Sequence, residues 1–460
     1  MNYPLQDKNA ALVQGVTASL TSRIGQISYE SLPAPALTVA RQCVLDWIAV
    51  TLRATDEPLV RMLYEQAVED GGAPKSSLLG RNQRVSARQA ALINGAASHA
   101  LDYDDVNIRM TGHPTVAVLP AALALAESRG ASGKALIEAF AAGYETVCLV
   151  GGMVSPSHYR RGFHVTGTVG TLGAAAAGAK LLGLDHERTR AALGIAATQA
   201  AGLKAMFGTM CKPLHAGKAS ENGLLAAQLA ARGFTSNLEA LECEQGFAQT
   251  QSDTLHADVM TDGAQRFNLP DNLFKYHASC YQTHAAIDGI RGLRAANGFT
   301  GADIEKIVIR QDAGADKVCN IASPVSGLET KFSLRMLAAY AVMGLDTSDI
   351  DSYTDEHTRN PALVALRDKV SVTFTPGWPI TRSEVQIHLK DGRHFSSDLD
   401  SGRPELDLDL QTNRLLEKMF ALAEPRLSKR GAREVADAVM SLDQIPDVRA
   451  LTDMLRPVHH

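Results

Sequence analysis

At 460 residues, 45% hydrophobic and 21% charged, the chain is long enough for two domains and too apolar for a disordered or collagen-like polymer. Its 45 Lys and Arg against 50 Asp and Glu leave a net charge of −5, which excludes the basic excess that nucleic-acid binding requires. Aromatic residues make up only 5%, whereas small residues abound, a composition suited to helices packed at close range.

Between Leu37 and Leu52 the residues Ala40, Val44, Trp47, Ile48 and Thr51 recur at helical spacing behind Pro33 and Pro35, which predicts a core helix. Further helices are predicted at 86–101, 116–129, 132–153, 168–182, 185–201 and 218–232, with Ser132 and Asp185 as start signals. Residues 1 to about 265 are thus expected to be all α. The run Gly167-Thr-Val-Gly170-Thr-Leu-Gly173 has the spacing GxxGxxG rather than GxGxxG, and no β-branched strand precedes it. It therefore predicts close helix–helix contact and no dinucleotide loop. Gly217-Lys218-Ala219-Ser220 likewise lacks the spacing of a phosphate-binding loop.

After about residue 268 the pattern changes. Ile304–Arg310 and Val370–Phe374 alternate as strands do, and Glu384–Leu389 leads into the hairpin signal Lys390-Asp391-Gly392. A helix is expected at 329–343 between them. The predicted architecture is mostly α: a large helical domain from residues 1–268 and 399–460, with a helical tail over 405–457, and a smaller α+β lid domain at 269–398. Residues 1–30 hold no apolar h-region and no later run approaches ~20 uninterrupted apolar residues, so a cytoplasmic protein without membrane contact is expected. The six cysteines show no CxxC-like spacing, which argues against a metal or iron–sulfur site built on a local motif. His459 and His460 read as the stub of a purification tag and are set aside.

Four polar islands interrupt this pattern. The first is Asp102-Tyr103-Asp104-Asp105 with Gly112-His113-Pro114, either a solvated helix cap or a carboxylate setting the tautomer of His113 as a general base. The second is Arg160-Arg161-Gly162-Phe163-His164, where His164 is a structural group or part of an anion site with Arg161 at a helix start. Lys212, in Met210–Gly217, is an exposed loop lysine or a ligand holder, since lysine is seldom buried without a partner. The densest island, Phe274–His284, packs Lys275, His277, Cys280 and His284 into eleven residues at the proposed domain boundary, where small ligands bind most often.

Taken together, DYDD…GHP, the FH before a glycine-rich helix, KPLHAGKASENG and KYHASCYQTH resemble the MmgE/PrpD family, with Cys319-Asn320-Ile321 and Gly327–Ser333 as a fifth match. The resemblance covers about residues 15–400. It implies a helical domain built from both chain ends, an α+β lid, a site in the cleft between them, a homodimer, and neither metal nor other cofactor. It also implies that Asp102, His113, His164, Lys212 and Lys275 line the site. Relative to the family's decarboxylase branch, Val106 replaces a threonine, Cys280 a histidine, and Val318 or Cys319 a tyrosine.

The chemistry expected is acid/base catalysis at a carbon beside a carboxylate of a small di- or tricarboxylic acid. His113, oriented by Asp102, and His164 are the expected base and acid, and Cys280 is a further acid/base candidate. Lys212 and Lys275, with Arg161 and His284, are expected to hold carboxylates. A lyase of 2-methylcitrate dehydratase type is the leading expectation, and an epimerase of iminodisuccinate type is the alternative. A non-catalytic helical binding protein is the competing class, disfavoured by four separate titratable islands.

Overall fold

The computed structural model describes residues 15–260 and 266–457 and divides them into two compact units. His459 and His460 lie outside the described residues. The first unit comprises the chain up to Ala100, Asp104–Phe274 and the segment from Glu405 onward. The second comprises Leu101–Tyr103 and Lys275–Pro404.

The first unit is helical, and its two chain ends share one core. The Ala34–Arg53 helix starts behind Pro33, and Val39, Ala40, Cys43, Val44, Trp47 and Ile48 along it are at most 3% exposed. The Leu408–Met440 segment, helical on either side of a kink at Ser428, packs on it, placing Lys418 Nζ 2.6 Å from Asp46 Oδ1, both buried, and letting Gln411 Nε2 donate to Gln42 Oε1 at 2.8 Å. The Val165–Leu181 helix lies against the Thr115–Arg129, Gly133–Val154 and Cys211–Ala230 helices. Its glycines explain the closeness: a Cβ on Gly170 would sit 2.5 Å from that of Ala117, and one on Gly173 only 2.9 Å from the Gly143 carbonyl oxygen. The GxxGxxG run thus packs helices. Gly133–Val154 is long and apolar enough to cross a bilayer, but 89% of its most apolar window is buried inside the protein.

The second unit is α+β. Strands β3 (Ile304–Asp312), β4 (Val370–Thr375), β5 (Arg382–Leu389) and β6 (His394–Asp400) are ordered β4-β3-β5-β6; β1 (Ser76–Ser77) and β2 (Arg84–Val85) belong to a short ribbon in the helical unit. β3 and β4 run parallel, with Ile307 opposite Val370, and β5 is antiparallel to both β3 and β6. Alternation puts Ile307, Ile309, Val385 and Ile387 into a core with Leu337 and Tyr340 of the Leu334–Met343 helix. Lys390–Arg393 turns β5 into β6, and Gly392 takes the φ of 88° that this turn requires.

Several boundaries differ from the sequence expectation. The helical unit is not all α, since Ser76–Ser77 (β1) and Arg84–Val85 (β2) form a ribbon pinned by Glu127, which accepts from Ser77 N at 2.7 Å. Two-residue strands are too short to show alternation. The helix expected at 218–232 begins at Cys211, because Pro213 in its first turn needs no hydrogen-bonding N–H. The helix expected at 329–343 splits into Gly327–Thr330 and Leu334–Met343, where Ser333 caps the second piece by accepting from Met336 N at 3.2 Å.

Candidate active site

In the helical unit, helix termini carry the titratable side chains. His99 ends the Ala87–Ala100 helix, His113 precedes the Thr115–Arg129 helix, His164 is the N-cap residue of the Val165–Leu181 helix, and Lys212 and His215 occupy the first turns of Cys211–Ala230. The loop before His113 is shaped by Asn107, whose Oδ1 accepts from Arg109 N and Met110 N. His113 N donates to Thr166 Oγ1 at 3.1 Å, which ties two of the helix starts together.

Asp104, only 1% exposed, is the carboxylate at the centre. His99 Nδ1 lies 3.0 Å from both its oxygens, and His113 Nδ1 lies 2.8 Å from Oδ2 in a contact not aligned as a full hydrogen bond. Burial alone would raise the Asp104 carboxyl, but the two imidazoles beside it outweigh burial and hold it well below the usual carboxylate range. The His99 ring meets His113 edge-on with centroids 4.6 Å apart and stacks on His164 at 5.7 Å. Burial pushes His99 down to about 4 and, aided by His99 and Lys212, holds His164 well below its ordinary value. His164 Nδ1 sits 3.0 Å from His215 Nδ1, and Phe207 closes on its ring at 5.0 Å. Lys212 is 6% exposed, with Nζ 5.6 Å from the Phe207 ring centre. A cation in a helix's first turn opposes the helix dipole by about 0.3–1 kcal/mol, so the helix itself does not favour it there.

These facts correct two expectations. The carboxylate that holds His113 is Asp104, not Asp102, because the loop turns at Asp102, whose φ is 52°. Arg161 is at the surface and not in a buried pocket: its guanidinium pairs with Asp253 at 3.1 Å, the two side chains being 41% and 67% exposed.

In the second unit, Lys275 Nζ donates to the Asp102 carbonyl oxygen at 2.7 Å and lies 3.3 Å from Asp102 Oδ1. Lys331 Nζ donates to the Leu101 carbonyl oxygen at 2.6 Å, so two buried ammonium groups grip one short segment. His284 begins the His284–Asn297 helix with Nε2 3.3 Å from the Ser279 carbonyl oxygen, and burial, with His277 and Lys275 beside it, keeps its imidazole neutral. The Cys319 thiol draws the Cys280 thiol down, against burial and the Asp102 carboxylate.

Of the residues expected, His113, His164 and Lys212 gather in the first unit, and Asp102, Lys275, Cys280 and His284 in the second. His99 stands in none of the four polar islands, whereas Asp104 and His215 stand in two of them without a role assigned. Donor atoms of His99, Asp104 and His113 lie within 4.8 Å of one another, a gathering that the spacing 99, 104, 113 does not announce. Both imidazoles turn Nδ1 to the same carboxylate oxygen.

Two family models match the chain: the MmgE/PrpD N-terminal domain over residues 18–259 and the MmgE/PrpD C-terminal domain over 277–444. Cis-aconitate decarboxylase of Homo sapiens is 28% identical across 97% of this chain and 95% of its own length. The enzyme of the same name from Aspergillus terreus is 25% identical across 98% and 97%. A cis-aconitate decarboxylase-like protein of Aspergillus oryzae is 31% identical across 61% of each.

Proposed function

The chain belongs to the MmgE/PrpD family and is an enzyme of lyase type, and from that premise we propose that it removes carbon dioxide from a small tricarboxylate by acid/base chemistry, cis-aconitate being the first substrate to test. The observation that supports this reading is the Asp104 cluster: neutral buried imidazoles beside one ionised carboxylate, with Lys212 near them. Loss of a carboxylate from an unsaturated acid leaves an electron pair that shifts to a neighbouring carbon, which must then receive a proton. A neutral imidazole becomes the donor once an anionic substrate raises its proton affinity, and Asp104 steadies the imidazolium. Lys212 and Lys275 serve as the carboxylate holders, so Lys212→Met or Lys275→Met weakens substrate binding about ten- to a hundredfold.

A second reading is dehydration of 2-methylcitrate type. It is favoured by Val106, Cys280 and either Val318 or Cys319, which stand where the decarboxylase branch has polar groups. Val106 pairs with Leu273 through its backbone, and Cys319 is fully buried. Proton NMR in heavy water with cis-aconitate, 2-methylcitrate and iminodisuccinate separates the readings. Decarboxylation with one deuterium gained per product supports the first and water loss from 2-methylcitrate the second, whereas deuterium uptake without elimination selects an epimerase. Inertness toward all three overturns the lyase assignment to these acids. A homodimer and a cytoplasmic address belong to the same proposal and are read by sedimentation and cell fractionation.

A further inference from the structure

The His164–His215 contact has a chemical consequence of its own. His164 is 3% exposed, with the His99 ring stacked on it and Phe207 meeting it edge-on, so it has little access to water. His215, one turn into the Cys211–Ala230 helix, is only partly buried and meets it Nδ1 to Nδ1 at 3.0 Å. Two imidazoles in such contact must differ in tautomer, one Nδ1 donating and the other accepting, which leaves each ring its Nε2 for another partner.

We propose that His215 is a proton relay that recharges His164 from solvent in every turnover. The inference rests on the lyase reading, because each decarboxylation consumes one proton. When His164 gives its Nε2 proton to the substrate carbon, its Nδ1 takes the proton from His215 Nδ1, and His215 Nε2 takes one from water. Both tautomers are then reversed, and they reset once product has left: water in the emptied site protonates His164 Nε2, the shared proton returns to His215 Nδ1, and His215 Nε2 gives its proton back to solvent. One N–H bond breaks at each ring as another forms, and one solvent proton enters per carbon dioxide released. In a dehydration the same path resets an acid left without its proton. Burial, with Lys212 beside it, lowers the His215 imidazole, and His164 is lowered further, so both rings are neutral at rest and the chain of transfers starts from no trapped charge.

The test compares His215→Ala with His215→Asn. Asparagine places an amide where Nδ1 stood, so it keeps a hydrogen bond to His164 but moves no proton. The relay requires both variants to lose about a hundredfold in kcat with KM little changed, and imidazole added to the buffer to restore His215→Ala in proportion to its concentration. A His215→Asn enzyme of undiminished kcat, or an Ala variant that imidazole leaves unrescued, overturns the relay. A readout independent of turnover is hydrogen exchange of the His164 ring proton, followed by 15N-labelled histidine: exchange slows in folded His215→Asn if the relay holds, and unchanged exchange overturns it. Wild-type inertness toward every acid tested would instead overturn the lyase reading, leaving the exchange experiment to judge the relay.

Discussion

Asp104 and Asp105 are adjacent in the chain and equally buried, yet their carboxyls are driven in opposite directions. Two imidazoles keep Asp104 ionised, whereas burial, with Asp46 and Asp104 nearby, pushes Asp105 up to about 7 against the Thr115 hydroxyl that donates to it at 2.5 Å. Because the folded value exceeds the ordinary 3.8, Asp105 costs stability as pH climbs from 3.8 to about 7. Asp105→Asn removes that cost, so its melting temperature relative to wild type is higher at pH 8 than at pH 5; an equal difference at both would show Asp105 ionised in the native state. Asp104→Asn lowers turnover by about 10²–10⁴, the usual worth of an acid/base group. Asp102→Asn, whose left-handed backbone asparagine tolerates, acts on KM instead. Steady-state kinetics of the two variants decide whether the base belongs with Asp104. His113, His164 and Lys212 were legible because a titratable residue between apolar helices stands out. His99 was not, being one polar residue on an apolar helix whose importance comes only from a loop that returns Asp104 to it.

Among elements, the strands and the GxxGxxG helix were legible because period-2 alternation and small-residue spacing are local properties. The β1–β2 ribbon and the break at Lys331–Ser333 were not, since both depend on partners distant in sequence or on a single cap. Close packing yields a contrast: Gly173→Ala forces a methyl against the Gly143 carbonyl and costs about 1–3 kcal/mol. Gly292→Ala, in the His284–Asn297 helix with open space around it, stabilises by about 0.5–1 kcal/mol. Chemical denaturation reads both, and equal effects would refute the packing account. Lys418→Met leaves Asp46 buried without that cation and costs about 3–5 kcal/mol, more than an exposed pair such as Arg430–Glu434 contributes.

Across the whole molecule, acid is the expected weakness. His99 and His158 are held at about 4, and His164, His215 and His284 are also depressed, so the unfolded chain takes up their protons first. Stability therefore falls as pH drops through 6.5 toward 4 on the account of these five imidazoles, with Asp105 and Glu145 pulling the other way. Thermal melts between pH 7 and 4.5 check this, and a flat profile would mean that the imidazoles are charged at rest. The shared core of the two chain ends also bears on biosynthesis. The face of Ala34–Arg53 that meets Leu408–Met440 emerges from the ribosome some 350 residues before its cover, roughly 20–70 s at ordinary elongation rates. Throughout that interval the nascent chain presents an apolar, charge-bearing helix to the cell, so a premature stop shortly before Leu408 yields a chaperone client and not a smaller enzyme.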